Sequence, residues 1–314
     1  MSPTLLHSFA SRPLTLLGFP SVFSHESFGK IDLPTLAPAL RLHTRFDKRW
    51  RPQATSAYCT RATGNGGGSL YGKPVELHFL TGRNYWYQTA FCLWSFAAAS
   101  GRPLAPVLFD DGSLSELYTE PLKRLFPALR VVTADESLAR RRLAYPHLKK
   151  LLDLHVGQRG YRLQMDSDLL FFRSPDCLLD WHDNPQCPLR SEDIDTWYGY
   201  PLTMLAELAD CPSVPERVNA GVLGLRSEDF DWDRMEYWCR ELLARKGPSY
   251  FQEQAFLAML LADRECIIPD PEDYVLFPRK PEALRCEAAM HHYVSQSRRW
   301  YYQYNWRRFL PPSL

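Results

Sequence analysis

From Pro74 onward the chain alternates short apolar runs with amphipathic stretches, the pattern of an α/β domain built on a mainly parallel sheet with helices on both faces. Val75 to Leu80 predicts a first strand and Tyr85 to about Ala99 a helix. Leu104 to Phe109 predicts a second strand, stopped by Asp110-Asp111-Gly112. Ser113 and Glu116 have capping-box spacing, so a helix is expected through Leu125. Leu129 to Val132 follows as a strand, then a helix from Pro146 to about Val156 ended by Gly157, then a strand from Tyr161 to Met165.

The second half is less regular. Val218 to Leu225 reads as a strand, Asp231 to Lys246 as a helix stopped at Gly247, and Tyr250 to Leu261 as another helix. Short strands are expected around Cys266 to Ile268 and Ala288 to Val294. Before Pro74 the pattern fails. That stretch is rich in Pro, Ser, Thr and Arg and ends in Gly64-Asn65-Gly66-Gly67-Gly68, so residues 1–71 are expected to be a poorly structured extension with a glycine linker, and residues 72–314 the folded domain. No Lys-Ser/Thr follows the glycine run and no strand precedes it, so it is not a phosphate-cradling loop.

Composition narrows the function classes. Of 314 residues 45% are hydrophobic, enough for a substantial core. Lys+Arg (37) and Asp+Glu (36) nearly cancel, which argues against nucleic acid as the main partner and means that any anion site must be built locally. No apolar run approaches the ~18 to 20 residues a spanning helix needs, and the N-terminus lacks the basic and cleavage regions of a signal peptide. The eight cysteines are scattered, with no zinc-like spacing, which leads us to expect reduced thiols in a cytoplasmic protein; peripheral membrane contact is compatible with all of this.

The sharpest chemical signal is Leu163-Gln164-Met165-Asp166-Ser167-Asp168-Leu169-Leu170-Phe171, two carboxylates embedded between apolar segments at the end of a strand. Acids in such a setting are costly unless paired or bound to a cation, and hard cations such as Mg²⁺ or Mn²⁺ take one or two carboxylates plus substrate phosphates. Ligands gather at the carboxyl ends of strands in open α/β sheets, which would line Thr81, Asp111 and Asp166 along one crevice. The tripeptide alone equally describes a solvated turn.

Four blocks in order place the pair in context. They are Leu80-Thr81-Gly82 with Tyr85 and Gln88; Gln164 to Asp168; Val218-Asn219-Ala220-Gly221-Val222; and His292-Tyr293-Val294 with Arg298 and Arg299. From Val75 to Tyr302 the chain resembles the GT-A fold glycosyltransferases, similar to the family of glycogenin and the bacterial lipopolysaccharide glucosyl- and galactosyltransferases. The resemblance implies a Rossmann-like sheet and a metal-dependent transfer of a hexose from a nucleoside-diphosphate sugar, a UDP-sugar first among them, to a hydroxyl on a glycan, lipid or protein, with retention of configuration. It implies that Thr81, Tyr85 and Asp111 face the base or ribose, that Arg298 holds phosphate, and that Asn219, Ala220 and Gly221 line the sugar pocket; Lys149, on the helix before the acidic strand, offers its charge to the diphosphate or to solvent. Asp166, Asp168 and His292 would hold Mn²⁺ or Mg²⁺, with Asp168 the more direct ligand and Asp166 reaching the ribose or a metal-bound water. Glu253-Gln254 stands where the family often has Asp-Gln, against the acceptor or the reacting sugar.

The residues themselves are compatible with these roles. Ala220 and Gly221 leave room for a ligand against the backbone, and Asn219 both donates and accepts. Adjacent strand residues face opposite ways, so only one of His291 and His292 can reach the carboxylates. Trp197, Tyr198 and Tyr200 offer ring faces to a sugar or to the core. A D-x-D phosphohydrolase is the main rival, but it would carry its pair after the first strand and Thr or Val where Leu170 stands. A sugar-nucleotide-forming nucleotidyltransferase would need a glycine-rich basic loop after the first strand, and a non-catalytic nucleotide-sugar-binding protein would share every feature named.

Overall fold

A computed structural model describes residues 73–133 and 149–309. Residues 1–71, assigned to the extension, lie outside them, as does most of the loop and helix start expected between Val132 and Lys149. Strands β1 (Val75–Thr81), β2 (Leu104–Asp110), β3 (Arg130–Val132) and β4 (Tyr161–Met165) are parallel neighbours in the order β3-β2-β1-β4. The near-continuous burial of β1 and β2 is that of strands covered on both faces. On β2, Leu108 packs toward helix α1 (Trp86–Ser100), whereas Val107 and Phe109 meet Leu154 of α3 (Lys149–His155) on the opposite side. The first three turns of α1 are apolar nearly all round, which makes it a core helix, and Gly101 ends it at φ 63°.

Two strands then depart from the parallel pattern. Strand β7 (Val218–Arg226) runs antiparallel to β4, with Met165 opposite Val222, and β6 (Leu189–Glu192) pairs antiparallel with β7 to close the six-stranded sheet. Chain order reverses at β1, since β2 and β3 build outward on one side and β4 sits on the other. That is a topological switch point, and the carboxyl ends of β1 and β4 meet there.

A second, three-stranded sheet was not expected from the sequence. Strand β5 (Leu169–Phe171) pairs antiparallel with β9 (Met290–His292), which pairs with β8 (Tyr274–Leu276). It packs on α1: the Phe171 amide donates to Ser95 Oγ, and the Phe96 and Phe171 rings meet edge to face at 4.9 Å.

Other expectations shift in detail. Helix α2 (Glu116–Leu125) has Ser115 at its N-cap, and Ser113 is drawn instead to the Arg83 amide and the Asp111 carboxylate, so the capping box at Ser113 does not form. The strand expected at Cys266 to Ile268 reduces to one bridge between Ile267 and Leu189. Between β5 and β6 lies α4 (Asp176–Asp183), and α5 (Leu202–Ala209) precedes β7; neither was predicted. Helices α6 (Trp232–Lys246), capped by Asp231, and α7 (Gln252–Leu260) follow β7 as predicted within two residues. Helices α8 (Lys280–Arg285) and α9 (Arg298–Gln303) complete the chain's C-terminal part. Among the described residues no helix is long and apolar enough to cross a membrane, and the seven described cysteines are all free thiols.

Candidate metal centre

The two sheets meet at Asp166-Ser167-Asp168, the link between β4 and β5. The Asp166 amide donates to Gly221 O at 2.8 Å, which extends the β4–β7 ladder by one residue. On the other side Leu169 stands opposite His292, and the Tyr293 amide donates to Asp168 O at 2.9 Å. This register brings a histidine from the far end of the chain beside the carboxylates.

Ligand atoms of Asp166, Asp168 and His292 all lie within 4.8 Å of one another. His292 Nε2 is 3.2 Å from Asp168 Oδ1 and 3.8 Å from Asp166 Oδ2. His292 is buried, and its Nε2 faces the two carboxylates without making a well-formed hydrogen bond. A buried ring nitrogen aimed at two acids, at the spacing of ligands around one ion, fits a hard divalent cation. His291 turns away, with Nδ1 3.1 Å from Tyr293 Oη and its ring against Phe172, so the structure assigns the inward position to His292.

The acids are not equivalent. The Asp166 side chain is 37% exposed and that of Asp168 only 12%. Burial pushes the Asp168 carboxyl up, but His292 and the Arg298 guanidinium, whose terminal nitrogen donates to Asp168 Oδ2 at 3.2 Å, outweigh it and hold the group below the ordinary carboxylate range. Gly221 makes the approach possible. A Cβ there would lie 2.2 Å from His292 Cε1 and 2.8 Å from Asn219 Oδ1.

Around this centre the other predicted residues fall into place unevenly. Thr81 ends β1, and Thr89 Oγ1 lies 2.8 Å from both Thr81 Oγ1 and Ser167 Oγ, so a chain of hydroxyls ties β1 to the acidic link. Tyr85 precedes α1 with its ring 42% exposed. Gln88 is buried and donates to Tyr302 Oη at 3.2 Å. The Asp111 carboxylate lies directly over Gly82, where a Cβ would come within 2.1 Å of Oδ2. Lys149 begins α3, and its side chain lies outside the described residues. Glu253 and Gln254 form the first turn of α7, and Ala220 is partly exposed on β7.

Asp193, just past β6, did not stand out in the sequence. Its Oδ2 accepts from Asn219 Nδ2 at 2.9 Å and from Gln254 Nε2 at 2.8 Å. Asn219 Oδ1 in turn accepts from the Gly221 amide at 2.8 Å, so Asp193, Asn219 and Gln254 form one polar group beside the metal ligands. Its position follows from the β6–β7 pairing and from the register shift at Arg190/Ser191, which no local pattern announces. A cavity of about 300 Å³ lined by Asp210, Cys211, Arg234 and Trp238 also touches Met259 and Leu260, at the other end of α7 from Gln254, and takes no part in this centre.

No family model matches the sequence, and no curated protein sequence matches it. Solved structures do. The chain is similar to LgtC, a galactosyltransferase solved in complex with donor and acceptor sugar analogues, at 16% identity and a TM-score of 0.50, over 74% of this chain and 93% of that one. It is equally similar to WbbM, a bifunctional glycosyltransferase in its apo structure, at 13% identity and a TM-score of 0.50, over 73% of this chain but only 47% of WbbM. At such identities the likeness is one of fold, and it agrees with the switch-point sheet and the acidic link described above. The chain thus has the GT-A fold of the glycosyltransferases.

Proposed function

We propose that this protein is a metal-dependent glycosyltransferase that moves a hexose, with retention of configuration, from a nucleoside-diphosphate sugar such as a UDP-sugar to a hydroxyl-bearing acceptor. One observation carries the reading: Asp166, Asp168 and the orphaned Nε2 of His292 converge at the switch point of a GT-A sheet. These three residues would hold Mn²⁺ or Mg²⁺, which supplies charge neutralisation for a leaving diphosphate.

The protein's own residues account for the rest. Arg298, anchored on Asp168, sits where a phosphate would meet the carboxylates and adds a fixed positive charge. Tyr85 offers a ring face, and the Asp111 carboxylate over Gly82 an acceptor, for a base and ribose. Asn219, Gln254 and Asp193 hold one another in fixed rotamers and present polar atoms to sugar hydroxyls, with Ala220 and Gly221 leaving the backbone open beside them. Glu253, on the first turn of α7, would act on the acceptor side.

The test is thermal stability with Mn²⁺ and a panel of nucleotide sugars. A donor near 100 times its dissociation constant contributes about 2.7 kcal/mol and raises the melting temperature by roughly 5 to 10 °C for a domain of this size. Asp168→Ala is expected to remove the effect. If no nucleotide sugar shifts the wild type, or if simple phosphomonoesters are hydrolysed instead, the reading fails.

A further inference from the structure

Three of the four most exposed large apolar side chains among the described residues flank one place: Tyr250 at 77%, Trp197 at 64% and Ile194 at 57%. Single exposed hydrophobes are ordinary, but a group of them marks a contact surface. Their supports are rigid. In the segment Trp197-Tyr198-Gly199-Tyr200 the two tyrosines are buried; Tyr198 Oη donates to Pro215 O at 2.7 Å and accepts from the Val218 amide at 2.8 Å, while Tyr200 Oη donates to Gly247 O at 3.0 Å. Gly199, at φ +73°, lies so close to Ser249 that a Cβ would come within 1.8 Å of its Oγ. The loop carrying Trp197 therefore rests directly on the loop carrying Tyr250. The core is already satisfied by Tyr198 and Tyr200, and Trp197 is held outward.

Two paths lead from the metal centre to this rim. From Asp168 one passes through Arg298, whose charge feels the nearby Tyr250 hydroxyl. From Gly221 the other passes through Asn219 to Asp193, the residue before Ile194, and to Gln254, four residues after Tyr250. The aromatic rim thus borders both the sugar-facing polar group and the Arg298 side of the metal centre, where a second substrate would enter.

We propose that Trp197 and Tyr250, with Ile194, form the acceptor subsite and that the acceptor is a neutral saccharide; this rests on the glycosyltransferase reading. A pyranose has an apolar C–H face and a rim of hydroxyls. Tyr and Trp supply large, rigid, amphipathic contact area at low entropic cost, which suits the face. The polar atoms nearby suit the rim: the carboxylates of Asp193, Asp195 and Glu216 accept from hydroxyls, and Thr196 Oγ1 already donates to Glu216 at 3.3 Å. Charge selects against anionic acceptors. Arg217 is held by Glu192 at 2.8 Å, so its charge is already engaged, while the carboxylates of Asp193, Asp195 and Glu216 would repel an anion.

The test uses the whole protein with Mn²⁺ and an array of neutral, sialylated and phosphorylated glycans, followed by saturation-transfer NMR on the best neutral binder. Neutral glycans are expected to be retained, with saturation passing to ring C–H protons. Trp197→Ala and Tyr250→Ala should each weaken that binding about 3- to 10-fold. Both variants should still bind Mn²⁺, which checks that they fold. Retention of no neutral glycan, preference for the anionic ones, or variants that bind as tightly as the wild type would each overturn the proposal. If nucleotide sugars bind but glycans do not, this inference fails alone. If glycans bind at the rim and no nucleotide sugar does, it is the transferase reading that fails.

Discussion

At each end of the parallel strands a buried histidine faces a carboxylate and an arginine, yet the two groups differ in how their charges are balanced. At the amino end His78 Nε2 lies 3.0 Å from Glu76 Oε1, Arg130 donates to Glu76 Oε2 at 3.2 Å, and Arg162 adds a second positive charge close by. One acid meets two guanidiniums. At the carboxyl end two acids, Asp166 and Asp168, meet one guanidinium, that of Arg298, and the His292 imidazole, while at neither end does the histidine Nε2 make a well-formed hydrogen bond. The first group carries no surplus negative charge. The second carries surplus negative charge in a half-buried setting, which a divalent cation would balance. Residue types alone do not separate a structural ion pair from a metal centre; the balance of charge does.

The comparison breaks most sharply at Asp168. Asp168→Ala removes the buried acid and leaves Arg298 without its anchor, so Mn²⁺-dependent donor turnover should fall on the order of 100-fold or more, measured at saturating donor. A variant that keeps full turnover would mean that the cluster is a structural ion pair like the one at Glu76. Gly221→Ala is the next test. Its Cβ would collide with the His292 ring and turn Nε2 from the acids, so Mn²⁺ affinity should drop about 10- to 100-fold while both carboxylates remain, as isothermal titration would show.

A smaller effect is expected at Asp193. Asp193→Ala strips the acceptor from the side-chain amides of Asn219 and Gln254, which costs about 1 to 3 kcal/mol in chemical denaturation and loosens the sugar-facing group without touching the metal ligands. Mn²⁺ affinity that fell along with stability would show that the polar group and the metal centre are one unit.

How much of this was legible depends on sequence distance. The alternation of apolar runs gave β1, α1, β2, β4 and β7 nearly to the residue, because strands buried on both faces and a helix apolar all round leave strong local patterns. Asp166, Asp168 and His292 were named from blocks in order, and the β5–β9 pairing supplies the physical reason for their meeting. That pairing itself was invisible: a strand is expected around β9, but three-residue strands such as β5 and β8 carry too few positions for a period to emerge. Asp193 was missed for the same reason, since it gains its role only through a register shift between β6 and β7. The capping box at Ser113 went wrong because the turn after β2 offered its hydroxyl nearer partners, the Arg83 amide and the Asp111 carboxylate, than the helix did.

The smallest expected effect lies at the amino end. Contact with His78 lowers the Glu76 carboxyl to about 2 against the opposing push of burial, while burial holds His78 itself below its usual value. A folded pKa below the unfolded one means that the unfolded chain binds more protons as pH falls. Glu76 therefore contributes its stability in full above about pH 4.5, and that contribution is lost between about pH 4.5 and 2. Because the side chain is 42% exposed, the contribution is screened and should stay under about 1 kcal/mol. Glu76→Gln should lower urea stability slightly at pH 7 and converge with the wild type toward pH 2, with Mn²⁺ affinity unchanged throughout. A loss of Mn²⁺ binding in this variant would mean that the two ends of the sheet are coupled through β1 and β4, and the self-contained ion pair would no longer serve as the reference against which the metal centre stands out.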